Sequence, residues 1–250
     1  MGNVIDKTFA ILERLVSSSP DPMLPTQLAD ELGLNRATCS RLLKQLLDMG
    51  YILKVSRQQG YIAGPKILTM NNIARFQENY LKYAIPVIDH CAEELQASIL
   101  TAQIYNGERY ILYHKNRSPI EVCIGSPSYN DVFQTATGVL LAAYSDKEER
   151  IRSYRKFKKS KPKVSLDGFS TEKEMHETLD QIAKRGYVKD KLYYWLYAYP
   201  VFRNGKILAA LGASITEEQY SKTYQKKICS VLQDAAEELT RKLTTNYTLG

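Results

Sequence analysis

The sequence runs to 250 residues, enough for one large domain or two modest ones, with 44% hydrophobic and 24% charged residues. That balance excludes a disordered chain, and no apolar run approaches the roughly 18 residues a membrane-spanning helix needs. A net charge of +7 favours a polyanionic partner, while four scattered cysteines and three histidines without ligand spacing exclude a zinc site. The cysteines sit in apolar contexts, as buried free thiols of a reducing compartment do. "MGNVIDKTFAILERL" carries charges within an amphipathic pattern, unlike a signal peptide, and Asp6 stands where a myristoylation signal needs Ser or Thr. A cytoplasmic protein without membrane attachment is expected.

In chain order, Phe9, Leu12, Leu15 and Val16 share one face of a helix over about 6–17, with Asp6 as its N-cap. "SSSPDPMLP" is a loop, and Pro25 suits the first turn of a second helix that buries Leu28, Ala29 and Leu32. Gly33 ends it in a left-handed conformation. Asn35 caps a third helix whose buried stripe is Cys39, Leu42, Leu43, Leu46 and Leu47. After Gly50 the period changes: "YILKVS" and "YIAG" read as strands around the turn "RQQG". Three helices and a hairpin make a winged helix-turn-helix, assigned to residues 1–66.

A linker helix is expected over 67–80 and a second domain over 81–250, with a break near Asn79 or Tyr80 and Pro86 in an N-terminal helical turn. "ASILTAQIYNGERYILYHKN" is a hairpin about "NG", "PIEVCIG" a third strand, and "FQTATGVLLAAYS" a buried helix. The basic run "RIRSYRKFKKSKPKV" is read as a solvated helix end and loop rather than a second nucleic-acid contact. "TEKEMHETLDQIAKRGYV" is an amphipathic helix closed by Gly186, and "LYAYPVFRNGKILAALGASI" a second hairpin. A long amphipathic helix over 217–243 follows. The fold class is therefore α+β, an antiparallel sheet with helices laid on it.

With Ala29, Gly33, Cys39 and Leu42 docking the second and third helices, Asn35, Arg36, Thr38, Ser40, Arg41 and Lys44 point outward. Such a helix fits the major groove. Arg36 and Ser40 are placed for base edges. Thr38, Arg41 and Lys44 are placed for phosphates, which fix register and make affinity salt-dependent. Arg57 and Gln58 at the hairpin tip reach an adjacent groove or the backbone. A small helical subdomain with a solvated basic face would show the same helix pair, but the hairpin immediately after the third helix favours DNA. No catalytic set converges: His90 and Cys91 are adjacent on a helix, His114 ends a strand, and no phosphate or dinucleotide loop is present. Neither an enzyme nor a cofactor is expected.

The blocks "DKTFAILERL", "LADELGLNRATCSRLLKQLLDMGYI" and "YIAGPKIL" resemble the N-terminal module of the IclR-type bacterial transcriptional regulators. The similarity continues through "YLKYAIPVIDHCAEEL", "VFQTATGVLLAAY", "RGYVKD" and "YPVFRNGKILAALGAS", nearly the whole chain. The resemblance implies a GAF-like effector-binding second domain, homodimers often joined into tetramers, a double-stranded operator and a small-metabolite effector. Carried over position by position, it places the effector pocket at Val122, Ile124, Phe133, Ala136, Thr137, Asp190, Tyr199, Pro200, Gly212 and Ser214. Backbone N–H groups at the helix start near Ala136 and Thr137 suit a carboxylate, which favours an organic acid; an aromatic metabolite is the other class kept. The chain departs from the pattern in Phe133, where a histidine is usual, in Gly212, where serine is more typical, and in the short "KLYYWLYA". Tyr193, Tyr194, Trp195, Tyr197 and Tyr199 narrow the pocket, line it for an aromatic ligand or fill it outright, the plainer alternative being that part of the run is strand and core. If they fill it, the chain is a ligand-independent DNA-binding protein whose second domain only oligomerises.

Overall fold

The computed structural model describes residues 2–56, 58–67, 70, 78–119, 126, 128–160, 165–166 and 168–245. They fall into two compact units, the first within Met1–Phe76 and Ile124–Pro127, the second within Gln77–Cys123 and Ser128–Gly250. The third strand expected at "PIEVCIG" and nearly all of the expected linker helix fall outside the described residues.

The first unit opens with α1 (Val4–Ser18). Its N-cap is Asn3 rather than Asp6: Asn3 accepts from the Asp6 N–H, and Asp6 reaches back to the Asn3 N–H, a capping box that satisfies two orphan donors. Ile11 and Leu15 are the buried positions of α1, and Leu12 packs part-buried beside them. Phe9 and Val16, expected on the buried face, are exposed, because the core is reached at Ile11 and Leu15, one turn apart. Pro25 begins α2 (Pro25–Glu31), and Gly33 turns the chain at φ +59°, where a Cβ would be strained. In α3 (Arg36–Asp48), Cys39, Leu42, Leu43 and Leu46 are buried and dock onto Leu28 and Ala29. Each leucine so buried contributes about 1.5–3 kcal/mol before entropy. Strands β1 (Ile52–Ser56) and β2 (Gly60–Ala63) pair antiparallel to form the wing, and Met23 bridges to Tyr61 at its root.

The second unit is built on a five-stranded antiparallel sheet. Its strands are β3 (Ser98–Tyr105), β4 (Glu108–Asn116), β5 (Val188–Lys191), β6 (Trp195–Arg203) and β7 (Lys206–Ile215), in the order β4-β3-β7-β6-β5. Both "NG" turns put Asn and Gly at positive φ, as two-residue hairpins of matched twist require. One face packs on α4 (Glu78–Leu95) and the long α8 (Lys222–Thr245) through Ile88, Ile99, Tyr197, Leu211 and Leu232. Pro86 lies inside α4, not at its start; it faces solvent, where the Lys82 carbonyl it leaves unbonded can meet water.

The other face carries α5 (Ala136–Tyr144), entered through a 3-10 turn (Val132–Gln134), with α6 (Lys147–Lys159) and α7 (Glu172–Arg185) outside it. Helix α5 is buried from Ala136 to Ala143. Of the basic run read as a helix end and loop, the first ten residues belong to α6, a 13-residue helix capped by Asp146 that buries Tyr154 and Phe157, and 161–164 lie outside the described residues. Three of its cations pair within the unit: Arg150 with Asp180, Arg152 with Glu149 and Lys156 with Glu108. The short β5 is four residues long and follows the Gly186 helix stop.

Candidate functional site

On the first unit, the Asn35 side chain accepts from the N–H groups of Ala37, at 2.9 Å, and Thr38, at 3.4 Å. This cap fixes where α3 begins and so which residues lead its N-terminal turn. Arg36, Ser40, Arg41 and Lys44 are exposed, Thr38 is half-buried, and Gln58 is exposed at the wing tip. Arg57 lies outside the described residues. The Arg36 guanidinium stands 3.8 Å from Asp30, with both side chains about two-thirds or more exposed (72% and 67%). So loose a pair is worth at most about 1 kcal/mol and leaves Arg36 free to swing. Lys66, in contrast, is committed to the fold: its Nζ donates to the Met49 carbonyl at 3.2 Å and lies 4.6 Å from the Tyr51 ring centre. Burial pushes the Cys39 thiol above its ordinary pKa, so it is an inert core group.

In the second unit, a cavity of about 190 Å³ lies between the sheet and the start of α5. Thr135 caps α5 by accepting from the Gly138 N–H at 3.2 Å. The N–H groups of Ala136 and Thr137, at the first two helical positions, have no intrahelical acceptor and carry the positive end of the helix dipole. Both residues line the cavity. Gly212 and Ser214 of β7 form its floor, and the reason for glycine is steric. A Cβ at Gly212 would stand 2.4 Å from Thr137 Cγ2, so only a bare backbone lets α5 come this close. Leu100 and Leu196, on the neighbouring strands, supply apolar walls.

Arg109 also lines this cavity, a residue sequence reasoning did not single out. It pairs opposite Ile104 at the start of β4, and its backbone bridges to Tyr129. Only 4% of it is exposed. Nε donates to Asp131 Oδ1 at 2.8 Å and Nη2 to Oδ2 at 2.5 Å, a bidentate fork, and the Tyr129 ring centre lies 5.4 Å from the guanidinium carbon. The remaining nitrogen, Nη1, is buried and has no hydrogen-bond partner among the described residues. A cation two residues past a hairpin turn is a visible signal; its partner 22 positions later is not.

The other expected pocket residues that are described do not line this cavity. Phe133 is fully buried on the far side of α5, edge-on to Phe157 and Phe169 at 5.3 and 5.0 Å between ring centres. Asp190 sits half-buried on β5, its carboxylate accepting from the Lys191 N–H. Tyr199 and Pro200 line a second, larger cavity of about 640 Å³ with Tyr144, Tyr187 and Phe202. Val122 and Ile124 lie outside the described residues. Of the aromatic run, Tyr194 and Tyr197 border the smaller cavity, Trp195 stacks on Tyr220 at 4.1 Å, and Tyr193 is exposed. The run therefore does not plug it. His114, expected at a solvated strand end, is half-buried: its Nε2 bonds Ser98 Oγ at 2.8 Å, and burial holds its pKa below the usual value. Ser98 is itself buried.

Comparison with known proteins agrees with this architecture. The IclR helix-turn-helix domain matches residues 4–56, and the C-terminal domain of the bacterial transcriptional regulator IclR matches residues 77–241. Comparison with curated proteins gives no match. Among solved structures, an IclR homologue from Microbacterium hydrocarbonoxydans complexed with 4-hydroxybenzoate is similar at a TM-score of 0.77 and 14% identity, over 96% of this chain and 99% of that one. An IclR transcriptional regulator from Alicyclobacillus acidocaldarius gives 0.74 and 16%, covering 97% and 99%. The Thermotoga maritima IclR gives 0.68 and 19%, covering 96% and 98%. At such identities the structures testify to fold, whereas the domain matches span most of the sequence: the chain belongs to the IclR family of transcriptional regulators, with a DNA-binding helix-turn-helix.

Proposed function

We propose that this regulator binds a double-stranded operator as a cytoplasmic homodimer, or a dimer of dimers, and that a small organic acid or aromatic metabolite in the second unit modulates binding. The observation that carries the DNA reading is the outer face of α3, where Arg36, Ser40, Arg41 and Lys44 are exposed while its leucines are buried. Arg36 and Ser40 read base edges; Asn35, Thr38, Arg41 and Lys44 hold the phosphate backbone, and Arg57 and Gln58 extend the contact from the wing. One recognition helix per chain implies two half-sites related by a two-fold axis. Ile5, Phe9 and Val16, an exposed apolar stripe on α1 at helical spacing, suit the pairing of two such chains.

For the effector, the supporting feature is the cavity at the start of α5, where Ala136, Thr137, Gly212 and Ser214 meet. The 4-hydroxybenzoate bound by the Microbacterium homologue is a ligand of the class the helix terminus favours. The sharpest test is Arg36→Ala in a gel-shift titration against the operator and a scrambled duplex. Loss of about 1–3 kcal/mol in specific binding, with relaxed preference at one base pair, is expected. Unchanged affinity and preference would remove Arg36 from base readout.

A further inference from the structure

We infer that Arg109 is the specificity-determining residue of the effector site, and that it selects a compact monocarboxylate over neutral ligands of the same shape. This rests on the effector reading above. It starts from a chemical imbalance: a guanidinium almost wholly removed from water, with two of its nitrogens on Asp131 and the third without a partner among the described residues. Buried donors are rarely left so, because the lost hydration is not recovered. Here the orphan belongs to a residue that lines the same cavity as the first turn of α5, whose Ala136 and Thr137 N–H groups also lack helical acceptors. A guanidinium with one donor unspent and a helix start with free N–H groups thus line one cavity, and a carboxylate is the group whose charge suits both.

Asp131 sets the number of charges. It neutralises Arg109, so the net field in the cavity comes from the helix terminus and one spare N–H, which suits a single negative charge rather than a phosphate dianion. The remaining walls limit the rest of the molecule. Leu100, Leu196, Ala213 and the bare Gly212 backbone offer a ligand body little to hydrogen-bond, so hydroxyl-rich acids would lose their hydration uncompensated. About 190 Å³ is below the roughly 300–1,000 Å³ of sites for drug-sized ligands, which restricts the occupant to a few carbons or a single ring. Holding Arg109 rigid on Asp131 and Tyr129 means that little ordering is needed when the ligand arrives.

The test uses benzoate and its neutral isostere benzamide as probes on the full-length protein, read by thermal shift and by isothermal titration. Benzoate should raise the melting temperature in a concentration-dependent way and benzamide should not. Arg109→Gln and Arg109→Lys should each weaken benzoate by about tenfold or more, since one loses the charge and the other the planar fork. Should either variant fail to fold, the benzoate–benzamide contrast on the unmodified chain, with Ala136→Pro beside it, decides the matter. Proline is tolerated at this first helical position after the extended Thr135, yet it removes one of the N–H donors. Equal shifts with benzamide, no shift with benzoate, or a shift that survives Arg109→Gln each overturn the inference. Operator titrations in the same samples keep the two readings apart: release of DNA by a neutral ligand would preserve effector control while overturning the carboxylate preference.

Discussion

The two units hold arginine in opposite ways, one at the start of α3 and one in the wall of the cavity beside α5. Arg36 is 72% exposed, with a partner 3.8 Å away, and meets its target by moving. Arg109 is 4% exposed and clamped on Asp131 by a fork of two hydrogen bonds in the wall of the cavity. The first arrangement costs the fold almost nothing and takes its energy from the partner's phosphates and bases. The second buries charge in advance, so that most of the desolvation has already been met when a ligand binds. A surface site can therefore be altered without harm to the fold, whereas the cavity and the core of its unit are the same object.

Asp131→Ala breaks this comparison hardest. It would strand the Arg109 charge with no counter-ion, and removal of one partner of a buried pair costs about 3–5 kcal/mol. The single tryptophan, Trp195, stacks on Tyr220 within the second unit, so its fluorescence during urea unfolding reports that unit alone. A midpoint lowered to match is expected, with the helix-turn-helix unperturbed. A loss under about 1 kcal/mol would mean that the guanidinium readily finds another acceptor, and the picture of a rigid clamp would fail.

A smaller effect is expected from Asn35→Ala on the first unit, about 1 kcal/mol within a range of 0.5–2, through loss of the cap on α3. Hydrogen exchange should show it as faster opening at Ala37 and Thr38, while Trp195 emission stays unchanged. If exchange at those amides does not respond, water replaces the cap, and the start of the recognition helix is held by its leucines alone.

These differences in construction explain what could be read from residues alone. The N-terminal unit is made of local signals: Pro25, the turn glycine Gly33, the cap Asn35 and a leucine stripe at helical spacing each act within a few positions. Besides the cap of α1, which is Asn3 and not Asp6, its misreading was the exposed Phe9 and Val16, because an apolar stripe does not say whether it meets the chain's own core or another surface. The second unit's two "NG" hairpins and the Gly186 helix stop were equally local. Its cavity was not. Ala136, Thr137, Gly212 and Ser214 were reached through family resemblance, and they meet because α5 crosses β7 at a glycine. Arg109 escaped notice because its meaning depends on Asp131 and on which face of β4 turns inward. Likewise α6 looked like a solvated run, since its cations conceal the spacing of Tyr154 and Phe157, and their partners Glu108 and Asp180 lie far off in sequence.

The finest test concerns Asp30, the carboxylate beside Arg36. The pair is exposed and long, so Asp30→Asn should change stability by no more than about 0.5 kcal/mol in either direction. Its effect on DNA is a separate matter. In the free protein Asp30 competes with phosphates and bases for Arg36, and in the complex its charge would face a polyanion. Removing it should tighten binding by about 0.5 kcal/mol on operator and scrambled duplex alike, with the gain fading as added salt shortens the Debye length. Fluorescence anisotropy at two salt concentrations is sensitive enough to read this. Weaker binding confined to the operator would point the other way: Asp30 would then be holding Arg36 in its reading position, and the recognition face would share the pre-ordered character of the cavity.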